Sequence, residues 1–170
     1  MGNRITNRKN YSQEEYLDNS LKMSNSLTDV FISLLALSAS HLASNSAEVD
    51  FAIWLAAHDQ SVVGSGTVGF DISELPWSVD HLETEKGFLL KVINSAKSKQ
   101  YWHMLNYTPR EEWVVHSLEK FQELIEDFSK EYINPENQMN DEIAHLQKGE
   151  KCTIHAVYLH FAGCVICNDR

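Results

Sequence analysis

The stretch from Thr108 to Tyr132 limits the possible folds of this chain more than any other. Thr108-Pro109-Arg110-Glu111 offers an N-cap hydroxyl, a proline at the first helical position and a carboxylate at the third, the chemistry that starts a helix. Beyond it Val114, Leu118, Phe121, Ile125, Phe128 and Tyr132 recur in alternating steps of four and three residues. Only a helix gathers those positions on one stripe, and that stripe needs another helix to cover it. The covering helix can come from the same molecule or from a second copy, so a homodimer stays open.

The rest of the chain supplies partners for that seam. Ser12-Gln-Glu-Glu15 is a capping box that predicts a first helix carrying Tyr16, Leu17, Leu21 and Met23. Leu27 to Ala43 is the most apolar run, but serines, Asp29 and His41 interrupt it before it reaches the roughly 18 clean apolar residues of a membrane span. It reads as a buried helix. Asn45 with Glu48 caps the next segment, through Trp54 towards His58, and Asp80 with Glu83 caps another predicted to reach Leu105. Two regions break the helical pattern. Glycines at 64, 66 and 69 lead into a short strand near 67–72 that Pro76 stops, and β-branched and aromatic residues around Ala162-Gly163 predict a C-terminal hairpin over 152–167. The fold class is therefore mainly α: a multi-helix bundle with a small β element. Residues 1–10, polar and basic, read as a flexible tail, and 11–170 as a single globular domain.

Chemistry concentrates near the C-terminus. All three cysteines lie there, and Cys152-Thr-Ile-His155 followed by Gly163-Cys164-Val-Ile-Cys167 gives two pairs of metal-binding side chains, each with two residues between its members. Three thiolates and an imidazole are a ligand set for tetrahedral Zn²⁺, and filling all four positions makes such a site structural rather than catalytic. The metal ligands read from sequence are thus Cys152, His155, Cys164 and Cys167, the cofactor is zinc, and His160 is a fifth candidate. Neither Thr153-Ile154 nor Val165-Ile166 is turn-forming chemistry, and in a plain strand residues three apart face opposite sides. The competing account makes the cysteines small buried hydrophobes of a terminal strand. Redox use of Cys164-x-x-Cys167 needs a helix N-terminus to hold the thiolate, and the residues that follow predict none.

Other patterns carry less. Gly64-Ser-Gly66-Thr-Val-Gly69 matches a dinucleotide-binding fingerprint by letter but lacks the strand before it and the helix after it. Glu112 with His116 and Glu142 with His145 each share a helix face, but one Glu-x-x-His pair falls short of a dimetal site. His41, His58 and Asp59 are polar intrusions near apolar helices. Trp77, after Pro76 in a loop, is the tryptophan whose exposure would mark a contact hot spot.

A formal charge of −10 repels nucleic acid and attracts basic proteins. A polar opening with no apolar leader, and an odd number of cysteines, predict a cytoplasmic protein. Met-Gly-Asn-Arg-Ile-Thr also fits the myristoylation pattern at Gly2, the one route to a membrane. Two functional readings follow. One is an acidic domain of inhibitor, antitoxin or immunity type that occupies a basic protein partner. The other is a zinc-stabilised regulatory domain. A His/carboxylate metal-dependent enzyme is a third and weaker class.

Overall fold

The computed structural model describes residues 2–7, 19–133 and 149–169. Its helices are α1 (Asn25–Leu42), α2 (Ser46–Ala56), α3 (Gln60–Val63), α4 (Leu82–Lys97), α5 (Glu111–Asp127) and α6 (Val165–Asn168), and its strands are β1 (Arg4–Thr6), β2 (Leu21–Lys22) and β3 (Phe70–Asp71). The mainly α bundle with a small β element is what the periodicity predicts. None of the described helices is long and apolar enough to cross a membrane. The capping box at Ser12 and the Glu142/His145 pair lie outside the described residues.

Helix α1 is the axis of the molecule. It is buried on almost every side from Thr28 to Ser40 and packs against α2, α4 and α5, as a helix apolar all round must. Ser24 starts it, accepting the N–H of Leu27 at 3.3 Å. Helix α5 presents the seam: Val114, Leu118, Phe121 and Ile125 are buried, and the Phe121 ring meets Phe31 of α1 edge-on at 5.3 Å. It begins two residues later than the Thr108 signal, with Arg110 at the cap, and ends at Asp127. Phe128 is buried at its C-cap, while Tyr132 falls in a separate 3₁₀ turn. Helix α4 stops at Lys97 rather than near Leu105, because Lys99 turns into the left-handed region (φ 62°) and breaks the ladder.

Residues 2–7 correct the expectation of a flexible basic tail. Arg4–Thr6 is the central strand of the sheet, antiparallel to β2 (Ile5 opposite Leu21) and parallel to β3 (Ile5 opposite Phe70). Ile5 is buried, and the polar residues around it are bonded rather than solvated. Asn3 donates to Asn25 Oδ1 (2.8 Å) and Gln60 Oε1 (3.2 Å), and Thr6 donates to Asp71 Oδ2 (2.6 Å). Leu21 accordingly belongs to β2, not to a first helix. The third glycine of the 64–69 motif serves this sheet: a Cβ on Gly69 would sit 2.6 Å from the Arg4 carbonyl oxygen and 2.8 Å from Arg4 N. That close backbone approach, not phosphate binding, explains the glycine.

Candidate metal centre

The C-terminal segment is two tight turns and a turn of helix. The hairpin expected over 152–167 is realised as two single bridges, Lys151 with Tyr158 and His160 with Gly163, followed by α6. The first turn closes because Cys152 N–H donates to Val157 O at 2.8 Å and Ala156 N–H to Cys152 O at 2.9 Å, with Ala156 taking the left-handed conformation (φ 55°) that glycine usually fills. The second runs into α6, where Asn168 N–H donates to Cys164 O at 3.0 Å. A helical turn therefore does begin inside Cys164-x-x-Cys167, contrary to the reading that none follows the first cysteine. It is a single turn with Cys164 at its cap.

Each turn treats its first cysteine alike. Cys152 Sγ accepts the backbone N–H groups of Ile154 and His155, and Cys164 Sγ those of Ile166 and Cys167. Amide donors aimed at sulfur favour thiolate. At Cys152, burial works against the anion, but these donors together with His155 and Cys167 bring its pKa down to about 6. At Cys164, burial outweighs its amide donors, and with Cys152 alongside the thiol is pushed up to about 12.

The four side chains named from the sequence converge. His155 Nδ1 lies 3.4 Å from Cys167 Sγ, 3.7 Å from Cys164 Sγ and 3.8 Å from Cys152 Sγ, and the Cys152 and Cys167 sulfurs are 3.7 Å apart. All four ligand atoms fall within 4.8 Å of one another. A tetrahedron with metal–sulfur bonds of about 2.3 Å and metal–nitrogen bonds of about 2.0–2.1 Å has edges of about 3.8 Å between sulfurs and about 3.6 Å from sulfur to nitrogen. The three sulfur–nitrogen separations and the Cys152–Cys167 sulfur separation lie within about 0.2 Å of those edges, and the other two sulfur separations are within 4.8 Å. A sulfur separation of 3.7 Å is also well beyond the roughly 2.05 Å of a disulfide, and all three thiols are free. The set can hold a metal ion.

His160 does other work. Its Nε2 donates to Asp59 Oδ2 at 3.0 Å and its Nδ1 accepts the N–H of Ala162 at 3.2 Å, so both ring nitrogens are used. Asp59, at the cap of α3, also accepts from Asn168 Nδ2 (2.9 Å) and Ser61 N–H (3.0 Å). Burial opposes its charge, yet those donors prevail and hold the carboxyl below its ordinary value. Asp59 thus binds both the second turn and α6 to the bundle. From the sequence Asp59 reads only as a polar intrusion, since His160 and Asn168 lie about a hundred residues away in the chain. On the other side, Lys151 Nζ donates to Ser40 O (2.9 Å) and Tyr158 N–H to Ser40 Oγ (3.0 Å).

The other candidates are not brought to this site. His41 and His58 each bond the carbonyl four residues back through Nδ1, at 2.8 Å; His41 stacks on Tyr101, and His58 packs at a tilt against Trp54. Glu112 and His116 are exposed on α5. Trp77 is 2% exposed, its indole N–H bonded to Ile72 O at 2.7 Å, so it marks no contact surface; Trp113, at 54%, is the exposed tryptophan. Among the described residues, the Cys152/His155/Cys164/Cys167 group is the cluster spaced to hold a metal. No family model, curated protein or solved structure matches this chain.

Proposed function

We propose that this chain is a zinc-stabilised domain in which Cys152, His155, Cys164 and Cys167 hold one Zn²⁺ that crosslinks the two turns and α6 of residues 149–169 to one another. The observation that carries the reading is the convergence of all four ligand atoms within 4.8 Å of one another, with four of their six separations near tetrahedral edges. Three thiolates and one imidazole select zinc over the hard cations, which take oxygen. With four protein ligands the shell is closed, so the ion supplies crosslinking and no Lewis-acid catalysis. Reduced thiols suit a cytoplasmic setting. Metal analysis of tag-free protein tests the assignment: one equivalent of zinc is expected, retained through dialysis and lost with Cys167→Ser. Substoichiometric zinc, with melting unchanged by a chelator, overturns it.

A second reading, an acidic domain that binds a basic protein, is favoured by a different observation. With a formal charge of −10, the chain exposes Trp113 at 54% beside glutamates of α5. Aromatic side chains at such positions anchor protein contacts, and a surplus of one charge sign selects the partner and speeds its approach. Salt-dependent binding of a basic but not an acidic partner peptide is the expected result, and equal binding of both overturns it.

A further inference from the structure

Trp113 stands at the meeting point of three concavities. One of about 520 Å³ lies between the start of α1 and residues 107–110, one of about 450 Å³ runs beside Leu21 and Leu27, and one of about 800 Å³ covers the outer face of α5 itself. Tryptophan in its ordinary place is buried; a half-exposed one bordered by hollows offers a partner both an apolar anchor and room for its neighbours. The first hollow has apolar and charged walls. Leu27, Val30 and Val114 line it together with the carboxylates of Asp29 and Asp169, the latter accepting the Tyr107 hydroxyl.

Among the described residues no lysine or arginine forms an ion pair with either carboxylate. Arg110, also in the wall, lies over the Trp113 ring, 4.9 Å from its centroid, one positive charge against the two carboxylates. Burial first, then repulsion from Asp169 and Asp59, push the Asp29 carboxyl up to about 6. A cation entering the hollow relieves that repulsion, whereas an anion adds to it. A second copy is the poorer occupant, because two chains of formal charge −10 repel.

We infer that the face around Trp113 docks a basic protein, one of whose lysine or arginine side chains enters the hollow between Asp29 and Asp169. The inference rests on the basic-partner reading and is independent of the zinc site, apart from Asp169 being delivered two residues after Cys167.

The test uses the metal-loaded full chain and a ten-residue peptide of alternating lysine and leucine, with an alternating glutamate and leucine peptide as control, titrated calorimetrically at physiological salt. Expected is binding of the lysine peptide alone, weakened at least tenfold by Trp113→Ala and by Asp29→Asn with Asp169→Asn. The charge-matched pair Glu83→Gln with Glu126→Gln, at the other end of the bundle, should change affinity less than twofold. Circular dichroism melts of every variant separate misfolding from lost contacts, and the Asp-to-Asn pair serves if Trp113→Ala melts early. If the remote pair weakens binding as much as the pocket pair, the docking site is wrong while the basic-partner reading stands. If neither peptide binds, or both bind alike, that reading falls and the site with it. A concentration-dependent dimer abolished by Trp113→Ala would replace the basic partner with a second copy.

Discussion

In the bundle, α1, α4 and α5 bury Phe31, Leu35, Leu89 and Phe121 completely. Residues 149–169 bury only Val157, Cys164, Val165 and Ile166 among their apolar side chains, and leave Ile154 73% and Phe161 62% exposed. The first region is held by apolar area, which is non-directional and needs no partner beyond more of itself. The second has too little such area, so it relies on directional contacts: the Asp59 carboxylate, Ser40, and the ligand cage. The difference teaches that the two regions should respond to different insults. Core truncation should damage the whole fold, and loss of metal should damage the segment that carries it.

The largest expected effect is that of Phe121→Ala, which removes a fully buried ring and its edge contact with Phe31. It should cost about 3–5 kcal/mol in urea denaturation, with no rescue by added zinc; a rescue would erase the distinction between the regions. Chelation comes next. With free zinc at about a hundred times its dissociation constant, bound metal contributes about 2.7 kcal/mol. Removing it should raise hydrogen exchange in residues 149–169 while the amides of α1 stay protected. Uniform loss of protection would mean that the segment and the bundle unfold as one unit.

Asp59→Asn should cost about 2 kcal/mol at neutral pH, since it weakens charge-assisted bonds to His160, Asn168 and Ser61. The sign with pH follows from its depressed folded pKa. Its stabilisation is complete above the unfolded value, near 3.9, and disappears as pH falls through the lower folded value. The asparagine variant should therefore lose less stability than the parent on acidification below pH 4. The smallest effect is expected at Asp29, with the opposite sign. Its folded pKa of about 6 lies above the unfolded one, so the parent loses stability as pH rises from about 4 through 6. Asp29→Asn should be more stable at pH 7 by under about 1 kcal/mol, as expected for a partly exposed group. The gain should vanish below pH 4 in thermal melts.

Much of the bundle was legible because helix formation and its apolar stripe are local in sequence. The Asn45 cap appears as read, its side chain accepting Glu48 N–H at 3.0 Å, and Val114 through Ile125 face inward as their spacing requires. The strand expected near 67–72 appears as β3, but its partners were not legible, because a three-residue strand carries almost no periodicity and Arg4–Thr6 becomes a strand only by pairing with residues 21–22 and 70–71. Trp77 and Trp113 exchanged expected places for a similar reason. Burial of the first depends on Phe128, stacked at 5.1 Å from a distant element.

The candidate metal centre divides along the same line. Spacing by itself named Cys152, His155, Cys164 and Cys167, since ligand identity is a property of residue type and of the two residues between them. Spacing left open whether the pairs turn or extend, and so whether their side chains meet. Tertiary structure decided that. The left-handed Ala156, the amide donors to each first sulfur, and the hold of Asp59 and Ser40 on the segment put all four ligand atoms within 4.8 Å of one another. Residue chemistry is written position by position, whereas convergence depends on contacts between residues far apart in the chain.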